Sequence, residues 1–222
     1  MSLDAIALGR LLQLSSASLP IGAFAYSEGI EYLVSADVMR NPDALFHWLK
    51  DNLCHGPIRV DAAIVQRIFV AREASDSAQQ SYWDAWVSAN RETEELREQS
   101  KTMGRALWRI AQGLSDIPLT ETPPTNFLAV YAVVTAQWRL PLYEVIYAYL
   151  HTWLTNLVMA GVKLIPIGQM SGQQVFWRMQ DILATTTEYV MTVPDDDLYS
   201  WSAGLSLASM RHESQYSRLF RS

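Results

Sequence analysis

The stretch LPLYEVIYAYLHTWLTNLVMAGVKLIPI, residues 140–167, is longer and more apolar than any other segment of the chain. Pro141 suits the first position of a helix, where its missing N–H group costs nothing. No formally charged residue lies between Val145 and Val162, a span of roughly 27 Å along a helix axis. This length fits two structures, a buried core helix and a helix that crosses a membrane.

Polar side chains distinguish these two structures. They form two neighbouring rows at helical spacing on an otherwise apolar cylinder, namely Glu144, His151 and Thr155, and Thr152, Asn156 and Lys163. A narrow polar stripe of this kind is typical of a helix surrounded by other helices. We therefore predict a central core helix with the rest of the chain packed around it, and keep a membrane-associated helical protein as an alternative.

The composition restricts the possible partners and compartment. Half of the 222 residues are hydrophobic and only 18% are charged, which predicts apolar surface left over for a protein partner. The net charge of −6 argues against nucleic-acid binding. The single cysteine, Cys54, excludes an intrachain disulfide and fits a reducing compartment. Asp4 and Arg10 interrupt the first apolar run, which does not resemble a signal peptide. We expect a cytoplasmic protein.

Helical periodicity and turn residues divide the chain into ten segments. The predicted helices are residues 3–16, a helix capped by Ser27, one opening at Asn41 and Pro42, one after Gly56 and Pro57, one around residues 82–86, one ending at Gly113, and residues 127–138, 140–167, 171–190 and 198–207. No two strand-like runs are joined by a hairpin turn. The sequence therefore predicts an all-α fold, a single-domain bundle of about nine to ten helices, with residues 115–124 as an internal loop.

A possible catalytic motif lies at residues 25–29, AYSEG, which imitates the turn around a hydrolase nucleophile. Such a turn needs a preceding strand, an oxyanion-hole loop, and an acid and a histidine later in the chain. The preceding PIGAF is short and broken by Pro20 and Gly22. We therefore predict that Ser27 caps a helix, and retain a serine hydrolase using Ser27 as an alternative.

Metal and nucleotide signals are weak. Cys54 and His55 are adjacent, so they diverge on a helix, and His47 could share a face with His55 but has no third ligand. His151 and His212 are better explained as hydrogen-bonded structural residues. Neither a P-loop nor a dinucleotide-binding motif occurs in the sequence. We predict no catalytic centre, no metal site and no cofactor.

The C-terminal segment SMRHESQYSRLFRS, residues 209–222, differs from the acidic body because it carries three arginines against one glutamate. As a helix it would present Tyr216, Leu219 and Phe220 as one patch flanked by arginines, the side chains that make strong interface contacts. Two interpretations are open: the tail folds back on the acidic surface of its own chain, or a partner orders it. We divide the chain into a helical domain, residues 1–208, and a partner-binding tail, residues 209–222.

Three blocks of this sequence together resemble the UreF-type urease accessory proteins. They are LPIGAFAYSEGIEYLV (residues 19–34), KLIPIGQMSGQQV (residues 163–175) and the tail, and their order and spacing match over nearly the whole chain. The resemblance implies an all-helical, non-enzymatic protein, usually a homodimer. It also implies association with a second accessory protein, UreD or UreH, and with the GTPase UreG, in an assembly that helps to insert nickel into apo-urease.

The resemblance also implies two sets of partner-binding residues. The GTPase contact is assigned to Tyr26, Ser27, Glu28, Glu31 and Lys163. Complex formation with the second accessory protein is assigned to Arg211, His212, Glu213, Gln215, Tyr216, Ser217, Arg218, Leu219, Phe220 and Arg221. The sequence departs from the family pattern at Ala23, Ala25 and Ser214, and its helix at residues 127–138 is bulkier than usual.

Overall fold

The computed structural model describes residues 4–91, 93–114, 119, 123–200 and 202–221, and all regular structure among them is helical, as predicted. The α-helices are α1 (Ala5–Leu14), α2 (Ile30–Ser35), α3 (Pro42–His55), α4 (Pro57–Glu73), α5 (Ser77–Asn90), α6 (Glu94–Leu114), α7 (Phe127–Gln137), α8 (Leu142–Leu164), α9 (Gln169–Arg178), α10 (Gln180–Thr192) and α11 (Ala203–Glu213). Short 3₁₀ turns lie at Ala23–Ala25 and Asp195–Asp197.

The described helices number eleven rather than nine to ten because residues 171–190 form two helices, α9 and α10, which meet at the buried Met179. Most predicted starts agree with the structure; Asn41, for example, accepts a hydrogen bond from the Ala44 N–H at 2.9 Å before α3. The bounds predicted for the last helix, residues 198–207, are wrong: α11 begins only at Ala203 and continues to Glu213, after a 3₁₀ turn at Asp195–Asp197.

Three helices supply most of the interior. Every residue of α7 from Leu128 to Ala136 is buried, and α4 packs against α3, α5, α7, α8 and α10. Helix α8 packs against α1, α2, α3, α4, α9 and α10. Each fully buried Leu, Ile or Val contributes about 1.5–3 kcal/mol, so these three helices provide the main hydrophobic stabilisation. A single central helix formed by residues 140–167 stays a prediction, because α4 and α7 share the interior with α8.

Helix α8 is also the one described helix that is long and apolar enough, by length and composition, to cross a membrane. Half of its most apolar 18-residue window is buried inside the bundle. A core helix passes the same length and composition test, so this property does not separate the two interpretations that the sequence left open.

Two polar anchors hold irregular segments on the bundle. The Arg67 guanidinium donates to Asp195 Oδ1 at 2.6 Å and to the Val193 carbonyl at 2.8 Å, which fixes the segment leading towards α11. The Asp84 carboxylate accepts from the backbone N–H of Asn126 at 3.0 Å and from its side-chain amide at 2.8 Å. This second anchor fixes the entry into α7.

Candidate functional site: the docked C-terminal tail

The turn before α2 is shaped by two consecutive residues with left-handed backbone angles, Glu28 (φ 49°) and Gly29 (φ 85°). A Cβ atom on Gly29 would lie 2.8 Å from the Cβ of Ala208, so glycine lets α11 approach this turn. Ser27 is buried, and its Oγ accepts a hydrogen bond from the Glu31 N–H at 3.3 Å. The prediction that Ser27 caps this helix is wrong, because α2 begins at Ile30 and its capping residue is Gly29. Ser27 lies before the cap and still holds one N–H group of the first turn.

The Glu31 carboxylate receives the end of the chain. One oxygen accepts the Leu219 N–H at 2.5 Å, and the other accepts the Phe220 N–H at 2.9 Å and lies 3.0 Å from His212 Nε2. Burial alone would raise the pKa of Glu31, but these hydrogen bonds and the nearby His212 outweigh burial and lower it. The carboxylate is therefore held in its ionised form by the tail.

His212 joins the tail to a second carboxylate. Its side chain is fully buried, and its Nδ1 lies 2.9 Å from Glu95 Oε2. Both ring nitrogens of His212 therefore lie within hydrogen-bonding distance of a carboxylate. The other oxygen of Glu95 is paired with Arg218. Glu213 accepts from the N–H groups of Glu94 at 3.0 Å and of Glu95 at 3.3 Å, which places a negative charge at the N-terminus of α6.

The last described residues close over the same turn. The Arg221 N–H donates to the Ala25 carbonyl at 2.8 Å. The Phe220 ring is buried, and Lys163 Nζ lies 5.7 Å from its centroid, within range of a cation–π contact. We call the assembly of Glu31, Glu95, His212, Phe220 and Arg221 the tail dock.

The tail dock unites two sets of residues that the sequence assigned to different partners. Glu31 belongs to the set predicted to contact the GTPase, yet it binds the backbone of the tail directly. Of the two interpretations of the tail, the structure shows the one in which it folds back on acidic residues of its own chain. The predicted helical patch is wrong, because α11 ends at Glu213 and Phe220 turns inward while Tyr216 and Leu219 turn outward.

The structure separates the predicted site residues by exposure. The exposed ones are Lys163, Arg211, Glu213, Tyr216, Ser217, Arg218, Leu219 and Arg221, and Gln215 is half-buried. Five others are covered by their own chain, namely Tyr26, Ser27, Glu31, His212 and Phe220. In this chain these five support the turn before α2 and the tail, and their assignment to partners stays a prediction.

Glu28 is a special case within the predicted GTPase set. It is partly buried, and its carboxylate accepts from Trp153 Nε1 at 2.8 Å and from Gln99 Nε2 at 3.0 Å. Burial raises the pKa of Glu28 more than these two hydrogen bonds lower it. Its carboxylate therefore faces the interior of the bundle rather than a partner.

Sequence reasoning missed two parts of this site. The first is Glu95, whose side chain is only 15% exposed because it turns onto the tail. The acidic start of α6 opposite a basic tail was the signal that could have identified it. The second is the pair Leu207 and Met210, two further apolar side chains that are exposed on α11.

The arrangement is suited to binding rather than to bond-making chemistry. Ser27 is buried, and both ring nitrogens of His212 face glutamates, so this histidine is not placed to activate Ser27. The segment before Ser27 is a 3₁₀ turn, not the strand that a nucleophile turn requires. Within the described residues, no group of three or more His, Cys, Asp or Glu side chains could hold a metal ion.

Comparisons with known proteins point to one family over most of the chain. A family model described as UreF matches residues 39–180. The urease accessory protein UreF of Nostoc sp. (strain PCC 7120) is 42% identical over 217 residues, covering 96% of this chain and 95% of the relative. The proteins of that name from Alkalilimnicola ehrlichii and Citrobacter koseri are 39% and 38% identical over 216 residues, each covering 96% of this chain and at least 95% of the relative.

Proposed function

The chain belongs to the UreF family of urease accessory proteins, and from this premise we propose that it is a nickel-insertion chaperone for urease. In this proposal it is a non-catalytic scaffold that joins a second accessory protein, UreD or UreH, to the GTPase UreG. The assembly delivers nickel to apo-urease and modulates the GTPase. The protein works in the cytoplasm as a homodimer, without a cofactor of its own.

The surface for the second accessory protein is the outer side of the tail. Tyr216 is fully exposed and Leu219 is 71% exposed, beside the arginines of the tail. Exposed aromatic and aliphatic side chains flanked by arginines favour a partner surface that is apolar at its centre and acidic at its rim. The relatives are named accessory proteins, which supports a role in binding rather than in catalysis.

The surface for the GTPase is centred on Lys163, the exposed member of its predicted set. The observation that carries the proposal is the Glu31 carboxylate, which fastens the tail to the turn before α2. Phe220 of the tail lies directly beside Lys163. A partner that binds the outer side of the tail therefore acts on the same small region that presents Lys163 to the GTPase.

Two exposed tail residues test the contact with the second accessory protein. The double variant Tyr216→Ala, Leu219→Asp should abolish co-purification with UreD or UreH, because it removes the apolar centre of the surface. Its melting temperature should stay that of the wild type, because neither side chain is part of the core. Leu12→Asp, which places the same charge on an exposed leucine of α1, is the matched control. Unchanged complex yield in the double variant would refute this part of the proposal.

Point variants are more informative here than deletion of residues 209–222. The sequence alone suggests that this deletion leaves the helical signal almost intact. In the structure, residues 209–213 are part of α11, and the deletion would also leave Glu31 and Glu95 without their partners. A loss of binding after deletion would therefore not separate recognition from unfolding.

Lys163 tests the contact with the GTPase. Lys163→Ala should weaken capture of UreG by the complex with the second accessory protein, while that complex still forms. Lys50→Ala, which removes an exposed lysine of α3, is the control for loss of one positive charge. Wild-type capture of UreG by the Lys163 variant would remove this residue from the interface.

A further inference from the structure

A cavity of about 480 Å³ lies inside the bundle behind the turn before α2. Its wall includes Thr152 and Asn156, so one of the polar rows that the sequence places on the long apolar helix faces this cavity. Asn90 and Tyr199 line it and are also exposed, which places its opening at the surface beside them. A concave site of this size suits a small organic ligand.

The charges in the wall do not balance. Glu28, Asp61 and Arg91 are the charged side chains of the described lining, and Arg91 Nη2 is paired with Asp61 Oδ2 at 2.9 Å. Burial raises the pKa of Glu28 and of Asp61, and the charge of Asp61 raises the pKa of Glu28 further. The cavity therefore carries one more carboxylate than cation, in surroundings that disfavour an unbalanced negative charge.

Aromatic side chains form much of the remaining wall. Six of them are Tyr26, Trp86, Phe127, Tyr131, Tyr149 and Trp153. Aromatic rings attract cations through the negative potential of their faces, and the attraction grows when the cation is removed from water. Carboxylates and aromatic rings in one cavity thus favour the same class of ligand.

Polar side chains in the wall add hydrogen-bonding capacity. Thr152 and Asn156 are four residues apart on α8, and both line the cavity. The amide of an asparagine both donates and accepts hydrogen bonds, so this part of the wall suits a ligand that carries a hydroxyl group or an amide as well as a charge.

We propose that this cavity binds a small organic cation, an ammonium compound with a polar substituent, with Glu28 and Asp61 as its counter-charges and aromatic rings around it. The polar substituent lies against Asn156. A metal ion fits less well, because within the described part of the chain no three His, Cys, Asp or Glu side chains converge. The inference does not rest on the proposed role in urease maturation, because it concerns the interior of this one chain.

Choline and its neutral isostere 3,3-dimethylbutan-1-ol are the two probes that test the proposal. They have the same shape and hydroxyl group and differ in the charge of the ammonium centre. Isothermal titration of the full chain should give a Kd for choline at least tenfold lower than that for the alcohol, and choline alone should raise the melting temperature. Equal binding of both probes, binding of nickel ions but not choline, or no binding of choline at 10 mM would overturn the proposal.

Three variants locate the binding within the cavity. Glu28→Gln should weaken choline binding at least tenfold, because it removes one counter-charge. Leu96→Trp should do the same by filling the cavity from a half-buried wall position, and it keeps the buried Asp61–Arg91 pair intact. Asp43→Asn removes an exposed carboxylate outside the cavity and is the control for net charge. Undiminished choline binding in both cavity variants, each shown to be folded by circular dichroism, would place any binding elsewhere and refute the assignment.

Discussion

Replacing Glu31 with alanine should destabilise the protein by about 3–5 kcal/mol, because the tail dock depends on its carboxylate. The variant leaves the buried Phe220 N–H and His212 Nε2 without an acceptor, in addition to the Leu219 N–H. An unsatisfied buried donor costs about 1–3 kcal/mol. Two buried donors that lose their acceptor together cost about 2–6 kcal/mol, which brackets the expected value.

Urea unfolding of the full chain measures this free energy, and hydrogen exchange locates the change. In a chain of this size, 1 kcal/mol shifts the melting temperature by about 2–4 °C, so a fall of roughly 6–20 °C is expected. The amides of Leu219 and Phe220 should lose their protection, while those of α4 and α7 remain the slowest to exchange. Glu31→Gln keeps one acceptor oxygen and should fall between the alanine variant and the wild type.

The pH dependence has a definite sign. Folding lowers the pKa of Glu31, so its contribution is fully present above its unfolded pKa of about 4.3 and is lost as the pH falls through the lowered folded pKa. The stability difference between the wild type and Glu31→Ala should therefore be largest near neutral pH and shrink in acid. Glu98→Ala, at an exposed position of α6, should not change the free energy of unfolding. Wild-type stability and protected tail amides in Glu31→Ala at pH 7 would refute the reasoning.

Three further perturbations test other parts of the fold by thermal and urea unfolding. Gly29→Ala should lower the free energy of unfolding by about 2 kcal/mol or more, because it puts a side chain into a left-handed backbone and against α11. Its control is Gly9→Ala in α1, where a Cβ meets nothing and which should not destabilise the protein. Asp84→Ala should lower the free energy of unfolding by about 2–3 kcal/mol, because it leaves the N–H groups before α7 without an acceptor. Asp43→Ala removes one partner of an exposed ion pair and should have little effect. Folding raises the pKa of the Glu28 carboxyl group above its unfolded value. The free energy of unfolding of the wild type should therefore fall as the pH rises from the unfolded towards the folded pKa, and Glu28→Gln should lack this fall.

Sequence patterns predicted the helices because their causes are local. Asn41 followed by Pro42 sets the start of α3 through a side-chain cap and a fixed φ angle, and both act within one turn. The break at Met179 has no such local signal, since neither Gly nor Pro lies there. The late start of the last helix also has no local signal, because the sequence does not show that Arg67, on α4, binds Asp195 beside the 3₁₀ turn at Asp195–Asp197.

The tail dock was only half predictable. Motif resemblance identified Glu31 and the tail as functional segments, but nothing in the local pattern shows that they touch. Their contact depends on the packing of α11 against Gly29, which is a property of the whole bundle. Exposure of Tyr216 and burial of Phe220 likewise follow from where α11 ends, because residues beyond it leave the helical register.

The hydrogen bond between Glu31 and Leu219 joins residues 188 positions apart in the chain. Closing this contact carries the loop-closure entropy of the intervening chain, a cost that grows only slowly with its length. Non-local contacts form later in folding than the local contacts within helices. The turn before α2 therefore reaches its observed form only when the tail has docked on it.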